Sequence, residues 1–156
     1  MVISLKEFIN ISLDIREKNK KLVFTNGCFD LIHRGHVAYL NEAKSLGNFL
    51  VVGLNSDSSV KKLEKGTNRP FNNENDRAFV LDNLKAVDYV IIFNEDTPYN
   101  LIKNIKPDYL VKGGDWKEED IVGSDVVKAN GGQVISLKFV DNYSTTSLIN
   151  KISEET

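Results

Sequence analysis

Residues 22–36 read Leu22-Val23-Phe24-Thr25-Asn26-Gly27-Cys28-Phe29-Asp30-Leu31-Ile32-His33-Arg34-Gly35-His36. The stretch opens on an apolar run. Beyond it Val37, Leu40, Ala43 and Tyr39, Ala43, Leu46 recur at helical spacing until Gly47. A buried strand, residues 22–25, therefore turns into a helix from Val37 to Leu46. A helix start offers free N–H groups and partial positive charge, which suit a phosphate. Gly27 and Gly35 carry no Cβ, so backbone or ligand can come close. His33 and His36 add imidazole donors, two if charged and one if neutral. The first expectation is a turn that holds a nucleoside triphosphate by its phosphates.

The flanking chain repeats the strand-to-helix pattern. Ser4 and Glu7 are spaced as a capping box before an amphipathic helix over residues 4–18. Phe49 to Leu54 is a continuous apolar run, as in a strand buried on both faces. Ser56 or Asp57 caps a short helix through Leu63. Residues 64–73, rich in Gly, Asn, Thr and Pro, form the longest loop and are expected to act as a mobile flap. A helix follows from Glu74 to Leu84, with Phe79, Val80 and Leu84 as its apolar residues, then a strand over Asp88 to Phe93. Thr97-Pro98 caps and starts a helix that Pro107 stops. Tyr109 to Lys112 is a strand, Asp125 to Ala129 a short helix, Val134 to Val140 a strand and Thr145 to Ile152 a final helix. Strands alternating with helices mean a parallel sheet covered on both faces, an α/β doubly wound fold of about five strands. Ligands in such folds gather where the strand order reverses. An order of 3-2-1-4-5 brings the turns after strands one and four together. No repeat or linker interrupts the pattern, so residues 1–156 are expected to form one domain, with residues 1–20 as a helix packed on it.

At 41% hydrophobic and 27% charged, the 156 residues have enough apolar material for a core. A formal net charge of −2 argues against broad binding to nucleic acid or a membrane surface. One cysteine cannot form an internal disulfide, and neither a signal peptide nor a membrane span is legible. A cytoplasmic location is the expectation.

Three constellations carry chemistry. The histidine pair is set against a plain capping or packing role. Cys28, Asp30, His33 and His36 also form a conceivable ligand set, although their spacing matches no familiar zinc pattern, and no metal ligand is assigned. Cys28 is alternatively a nucleophile or simple packing. Lys112-Gly113-Gly114-Asp115-Trp116 follows a strand, where a lysine can pair with a phosphate and glycines allow contact with a ring. Its bland counterpart is a tight turn. Tyr143-Ser144-Thr145-Thr146-Ser147 offers hydroxyls and N–H groups at a helix start, either a second phosphate cradle or an ordinary cap. Lys61, Lys62, Lys65 and Arg69 are basic residues in or beside the flap, facing an anionic substrate or solvent. Arg77 either pairs locally or reaches the pocket. Phe29 and Trp116 either stack on a base or belong to the core.

Asn26-Gly27-Cys28-Phe29-Asp30 with His33-Arg34-Gly35-His36 resembles the HxGH signature of the cytidylyltransferase-like nucleotidyltransferases, and Ser144-Thr145-Thr146 resembles their hydroxyl-rich second signature. The stretches TNGCFDLIHRGHVAYLNEAKSLG, VVGLNSDSSVKKL, AVDYVIIFNEDTP and PDYLVKGGDW resemble the heptose 1-phosphate adenylyltransferases among them. That resemblance runs from about Leu22 to Ile152. It implies a Rossmann-like nucleotidyltransferase fold and transfer of AMP from ATP, with Mg²⁺, to D-glycero-β-D-manno-heptose 1-phosphate. ADP-heptose and pyrophosphate are the products. It further implies small-molecule substrates, no nucleic-acid or membrane partner, a homodimer and a form without a fused sugar kinase. Relatives that use glycerol 3-phosphate and CTP are the nearest alternative, and a non-catalytic nucleotide-binding regulator is another.

By the same resemblance His33, His36 and Lys112 are the expected catalytic residues. Thr25, Asn26, Gly27, Phe29, Gly35, Gly113, Gly114, Asp115, Tyr143, Ser144, Thr145 and Thr146 are expected around the nucleotide. Asp30, Asn55, Arg69 and Arg77 are the candidates for substrate contact.

Overall fold

The computed structural model of the chain describes residues 1–63 and 68–155. Five parallel strands form one sheet: β1 (Leu22–Gly27), β2 (Phe49–Asn55), β3 (Tyr89–Phe93), β4 (Tyr109–Gly113) and β5 (Gln133–Leu137). Their order is β3-β2-β1-β4-β5, as expected, so β1 pairs with both β2 and β4 and the order reverses there. Each strand alternates its side chains across the sheet, a direct result of the two-residue repeat. Val23, Leu50, Val52, Leu54, Val90 and Val111 point to one face, where they meet α2 (Arg34–Ser45) and α4 (Glu74–Asp82). Leu22, Phe24, Val51, Ile91, Leu110 and Val134 point to the other. There they meet α1 (Leu5–Glu17), α5 (Tyr99–Ile105) and α6 (Ser124–Ala129).

Two aspartates set the entry register. Asp108 accepts the Leu22 N–H at 2.9 Å and pairs with Lys21 at 2.8 Å. Asp88 accepts the Leu50 N–H at 2.7 Å and pairs with Lys44. Each carboxylate ties the start of one strand to the chain entering its neighbour.

Several local expectations are corrected. The second helix begins at Arg34, capped by His33, three residues before Val37. Pro98 is the cap of α5 and no side chain bonds there, so Thr97 does not cap it. β5 ends at Leu137, which leaves Lys138 to Val140 outside the sheet. On α4 the buried residues are Arg77, Ala78 and Leu81, while Phe79 and Val80 are exposed. Helical geometry puts 77, 78 and 81 on one face, and that face carries the arginine. The capping box of α1 forms as read, with Ser4 and Glu7 satisfying each other's N–H groups. Ser56 caps α3 (Asp57–Lys62). The last helix, α7 (Thr145–Glu154), buries none of its residues. Among the described residues no helix is long and apolar enough to cross a membrane.

Candidate active site

The cavity opens at the carboxyl ends of β1 and β4, where a doubly wound sheet leaves a crevice. It has a volume of about 430 Å³, within the range of small-molecule sites. Asn26, Gly27 and Phe29 leave β1 into it, and His33, Gly35 and His36 enter it from the start of α2. Lys112 and Gly113 come from the end of β4, and Tyr143, Ser144 and Thr145 from the start of α7. The three motif segments, more than a hundred residues apart at their extremes, thus line one space.

The histidines build the start of α2 between them. His33 is the N-cap, and its Nδ1 accepts the Gly35 N–H at 3.1 Å. His36 returns the bond, its Nδ1 accepting the His33 N–H at 3.4 Å. The rings lie 4.0 Å apart, centroid to centroid, at 30°. A nitrogen that accepts a hydrogen bond carries no proton, so in this arrangement each ring keeps its proton on Nε2. Desolvation by burial also holds His33 below the usual histidine pKa of 6.5. The geometry thus favours two neutral rings, each with one Nε2–H donor.

The glycines are required by close approach. A Cβ on Gly35 would lie 2.9 Å from His33 Cε1 and 3.0 Å from Tyr143 Cβ. One on Gly113 would lie 2.7 Å from the Phe139 ring. Phe29 adopts a φ of 45°, unusual for a residue with a Cβ, and its ring sits 5.5 Å from that of His36. Tyr39 stitches the floor: it bonds Thr25 on β1 and donates to the Val111 carbonyl on β4 at 3.2 Å. Burial pushes its phenol up to about 12.

On the β4 side Lys112 lies 5.7 Å over the Trp116 ring, whose Nε1–H donates to the Gly113 carbonyl at 3.1 Å. Ser144 caps α7 by accepting the Ser147 N–H at 3.0 Å, which leaves its O–H able to donate. Arg34 reaches the Tyr143 hydroxyl at 3.4 Å and so joins the starts of α2 and α7.

Other expected site residues lie elsewhere. Thr25 is fully buried and spent on Tyr39. Asn55 is buried, with its amide on Ser59 at 3.0 Å. Arg77 is buried and donates to the carbonyls of Cys28, Asn55 and Asn72 and to the Asp57 carboxylate. Each of its three guanidinium nitrogens is committed, and it cannot turn to the cavity without abandoning those acceptors. Gly114 gives its N–H to Leu137 at 2.8 Å and its carbonyl to Ser136, so its main chain ties β4 to β5. Asp115 and Thr146 are exposed and do not line the cavity. Lys61 is exposed and Lys62 pairs with Asp96 at 3.0 Å, both outside the cavity wall. Lys65 lies outside the described residues, as do residues 64–67 of the expected flap. Residues 69–72 are held by Asp30.

Sequence reasoning passed over Phe139 and Tyr39 as cavity walls. Tyr39 read as helix core, and Phe139 as an ordinary residue of an overlong strand. The close contact with Gly113 was a signal that only coordinates carry.

Asp30 is the carboxylate of the cavity wall, and both of its oxygens already accept main-chain N–H groups. Among the described residues no group of three or more His, Cys, Asp or Glu is placed to hold a metal ion. The side chains therefore do not fit an all-protein Mg²⁺ site.

The family described as Cytidylyltransferase-like matches residues 24–151. The chain is 55% identical over 142 residues to the bifunctional protein HldE of a Nitratiruptor species, covering 91% of this chain and 30% of that protein. It is 58% identical over 135 residues to the bifunctional protein HldE of Campylobacter concisus, covering 86% of this chain and 28% of that one. The chain thus spans about three-tenths of the length of these curated relatives. Among solved structures it is similar to a lipopolysaccharide core biosynthesis protein from Thermoplasma volcanium. There the TM-score is 0.65 and the identity 29%, with 80% of this chain and 99% of that one covered. A pantoate-beta-alanine ligase from Francisella tularensis shares the fold, at a TM-score of 0.60 and 16% identity, over 99% of this chain and 78% of that one.

Proposed function

The chain belongs to the cytidylyltransferase-like nucleotidyltransferases, and from that premise we propose that it moves AMP from ATP to D-glycero-β-D-manno-heptose 1-phosphate. An acceptor phosphate oxygen attacks the α-phosphorus in line, the bond from that phosphorus to the bridging oxygen breaks, and pyrophosphate leaves with the electron pair. The acceptor is already an anion, so the reaction needs no protein nucleophile and no strong base. What it needs is alignment and donors aimed at charge that grows during transfer.

The observation that carries this reading is the convergence of the His33/His36 helix start, Lys112 and the start of α7 in one cavity. In the proposed complex the two Nε2–H groups hold α- and β-phosphate oxygens. Lys112 adds a positive charge, and the Ser144 and Thr145 hydroxyls with the first N–H groups of α7 take the leaving pyrophosphate. Asn26, Gly27 and Phe29 frame the nucleotide by main chain, and Trp116 and Tyr143 offer flat surfaces. Mg²⁺, which the resemblance implies, would supply charge neutralisation at the triphosphate, and no residue of the cavity is assigned to hold it. Homodimerisation belongs to the same reading and is read by light scattering on the eluting protein.

The test is pyrophosphate release with ATP and CTP against heptose 1-phosphate and glycerol 3-phosphate. Turnover with ATP and the heptose phosphate alone is expected. Preference for CTP with glycerol 3-phosphate, or nucleotide binding with no turnover, would replace the proposal.

A further inference from the structure

The last helix, α7, carries the hydroxyls proposed for the leaving pyrophosphate, yet it buries none of its residues. Its Leu148 and Ile152 line a cleft of about 350 Å³ together with Ile32 and Val80. Burial of an apolar face is what ordinarily anchors a helix, and here it does little to fix where α7 begins. The contacts that fix it lie just before Ser144.

Asn142 takes a left-handed φ of 67° and turns the chain into Tyr143. Tyr143 then meets two residues of the α2 start. The Arg34 guanidinium stands 5.6 Å over the centre of its ring, and Arg34 Nη1 donates to its hydroxyl at 3.4 Å. The His33 ring stacks on it at 6.3 Å, with 29° between the planes. Tyr143 and His33 line the cavity, whereas Arg34, the first residue of α2, is exposed and does not. Arg34 therefore reaches the site only through Tyr143.

The pairing suits the charges around it. The starts of α2 and α7 both bring partial positive charge to one cavity, so without a phosphate between them they repel. A link made with a carboxylate would hold them together but would also repel the phosphates. An arginine on a neutral ring avoids that, because the ring's negative face attracts the cation without adding an anion.

We propose that Arg34 is a positioning residue for the leaving-group half of the site: through Tyr143 it holds the start of α7, so that Ser144 and Thr145 stand in place for pyrophosphate. This rests on the nucleotidyltransferase reading above and adds what sets the position of its last segment. Arg34 does not touch the substrate; it fixes the residue next to the hydroxyls that do.

The experiment titrates inorganic pyrophosphate and, separately, AMP into the full chain by calorimetry. Wild type, Arg34→Ala, Arg34→Lys, Tyr143→Ala and the double variant Arg34→Ala with Tyr143→Ala are compared, with melting temperatures as the check on folding. Arg34→Ala should bind pyrophosphate about 3- to 30-fold more weakly, as for loss of one exposed cation–π contact and one hydrogen bond. Its affinity for AMP should stay within about 2-fold, because AMP lacks the phosphates that α7 takes. Arg34→Lys keeps the charge and loses the planar face over the ring, so it should recover only part of the loss. On top of Tyr143→Ala, Arg34→Ala should cost no more than about 2-fold further, since the partner it acts through is gone.

Pyrophosphate release from ATP and heptose 1-phosphate extends the test to turnover. In Arg34→Ala the kcat/KM for ATP should fall by a similar factor while the acceptor KM is unchanged. A wild type that binds pyrophosphate but transfers nothing counts against the catalytic reading alone, and the titrations still decide the role of Arg34. Wild-type affinity for pyrophosphate in a folded Arg34→Ala overturns the assignment, as do equal losses for pyrophosphate and AMP, full recovery by lysine, or additive losses in the double variant. A wild type that does not bind pyrophosphate overturns it too, because the cradle that Arg34 is said to hold is then not formed.

Discussion

The Nδ1 of His36 accepts the main-chain N–H of His33 at 3.4 Å, and the two rings lie 4.0 Å apart. The residue that begins α2 and the residue one turn into it are therefore each other's support. Capping uses the Nδ1 of each ring, so the phosphate contacts proposed for Nε2 would not compete with it. The relationship accounts for two histidines where a serine and a glutamate are the ordinary pair.

Stability should fall on mild acidification, and His33 should carry part of the fall. Its folded pKa lies below the ordinary value of 6.5 because burial disfavours the charge. The unfolded chain therefore binds the proton first as pH drops through about 6.5, and unfolding is favoured. The contribution is fully present above that pH, declines as pH falls through the folded pKa, and then levels off. The melting temperature of the unliganded protein should be lower at pH 5.5 than at pH 7.5. His33→Asn, which keeps a capping acceptor but does not titrate, should flatten that slope. An unchanged slope would remove His33 as its source.

His36→Ala should lower kcat by about 10²–10³, the usual loss for one donor aimed at developing charge. The fold should survive, since His33 still caps α2 through the Gly35 N–H. Pyrophosphate release and circular dichroism on the same preparation check both halves. Near wild-type turnover would defeat the assigned donor role.

Gly35→Ala separates activity from stability. Alanine is the better helix former by about 1 kcal/mol, but its Cβ would press on His33 and on Tyr143 at 3.0 Å or less. A melting temperature near wild type with a clear loss of kcat is expected. A fully active variant would mean that the spacing between the starts of α2 and α7 is not critical.

Arg77→Ala should act on stability rather than on recognition of the acceptor. It removes the donor from the buried carbonyls of Cys28 and Asn55, at about 1–3 kcal/mol for each acceptor left unpaired. Asp57 is one-third exposed and can be rehydrated in its place. Denaturant unfolding should show the loss. A variant as stable as wild type but with a raised acceptor KM would return Arg77 to the substrate.

The sequence by itself determined what local pattern can encode. Apolar runs such as Phe49 to Leu54, alternating with helical repeats, lead to a parallel sheet whatever the neighbours. The Gly27 to His36 turn between a strand and a helix has one place in such a sheet, at its carboxyl edge. Only the tertiary structure decided which polar residues remain available there. Arg69 and Arg77 stand eight residues apart with the same charge. One packs against Asp30 and Phe71 at the cavity wall, and the other is spent on carbonyls beneath it. The family resemblance implied Asn55, Thr25 and Gly114 as site residues, yet their polar groups are taken up by Ser59, Tyr39 and β5. Phe79 and Val80 are apolar residues of α4, and the fold leaves both exposed. In each case the outcome depends on partners brought from distant segments, because a hydrogen bond or a packed face is settled by what stands opposite it.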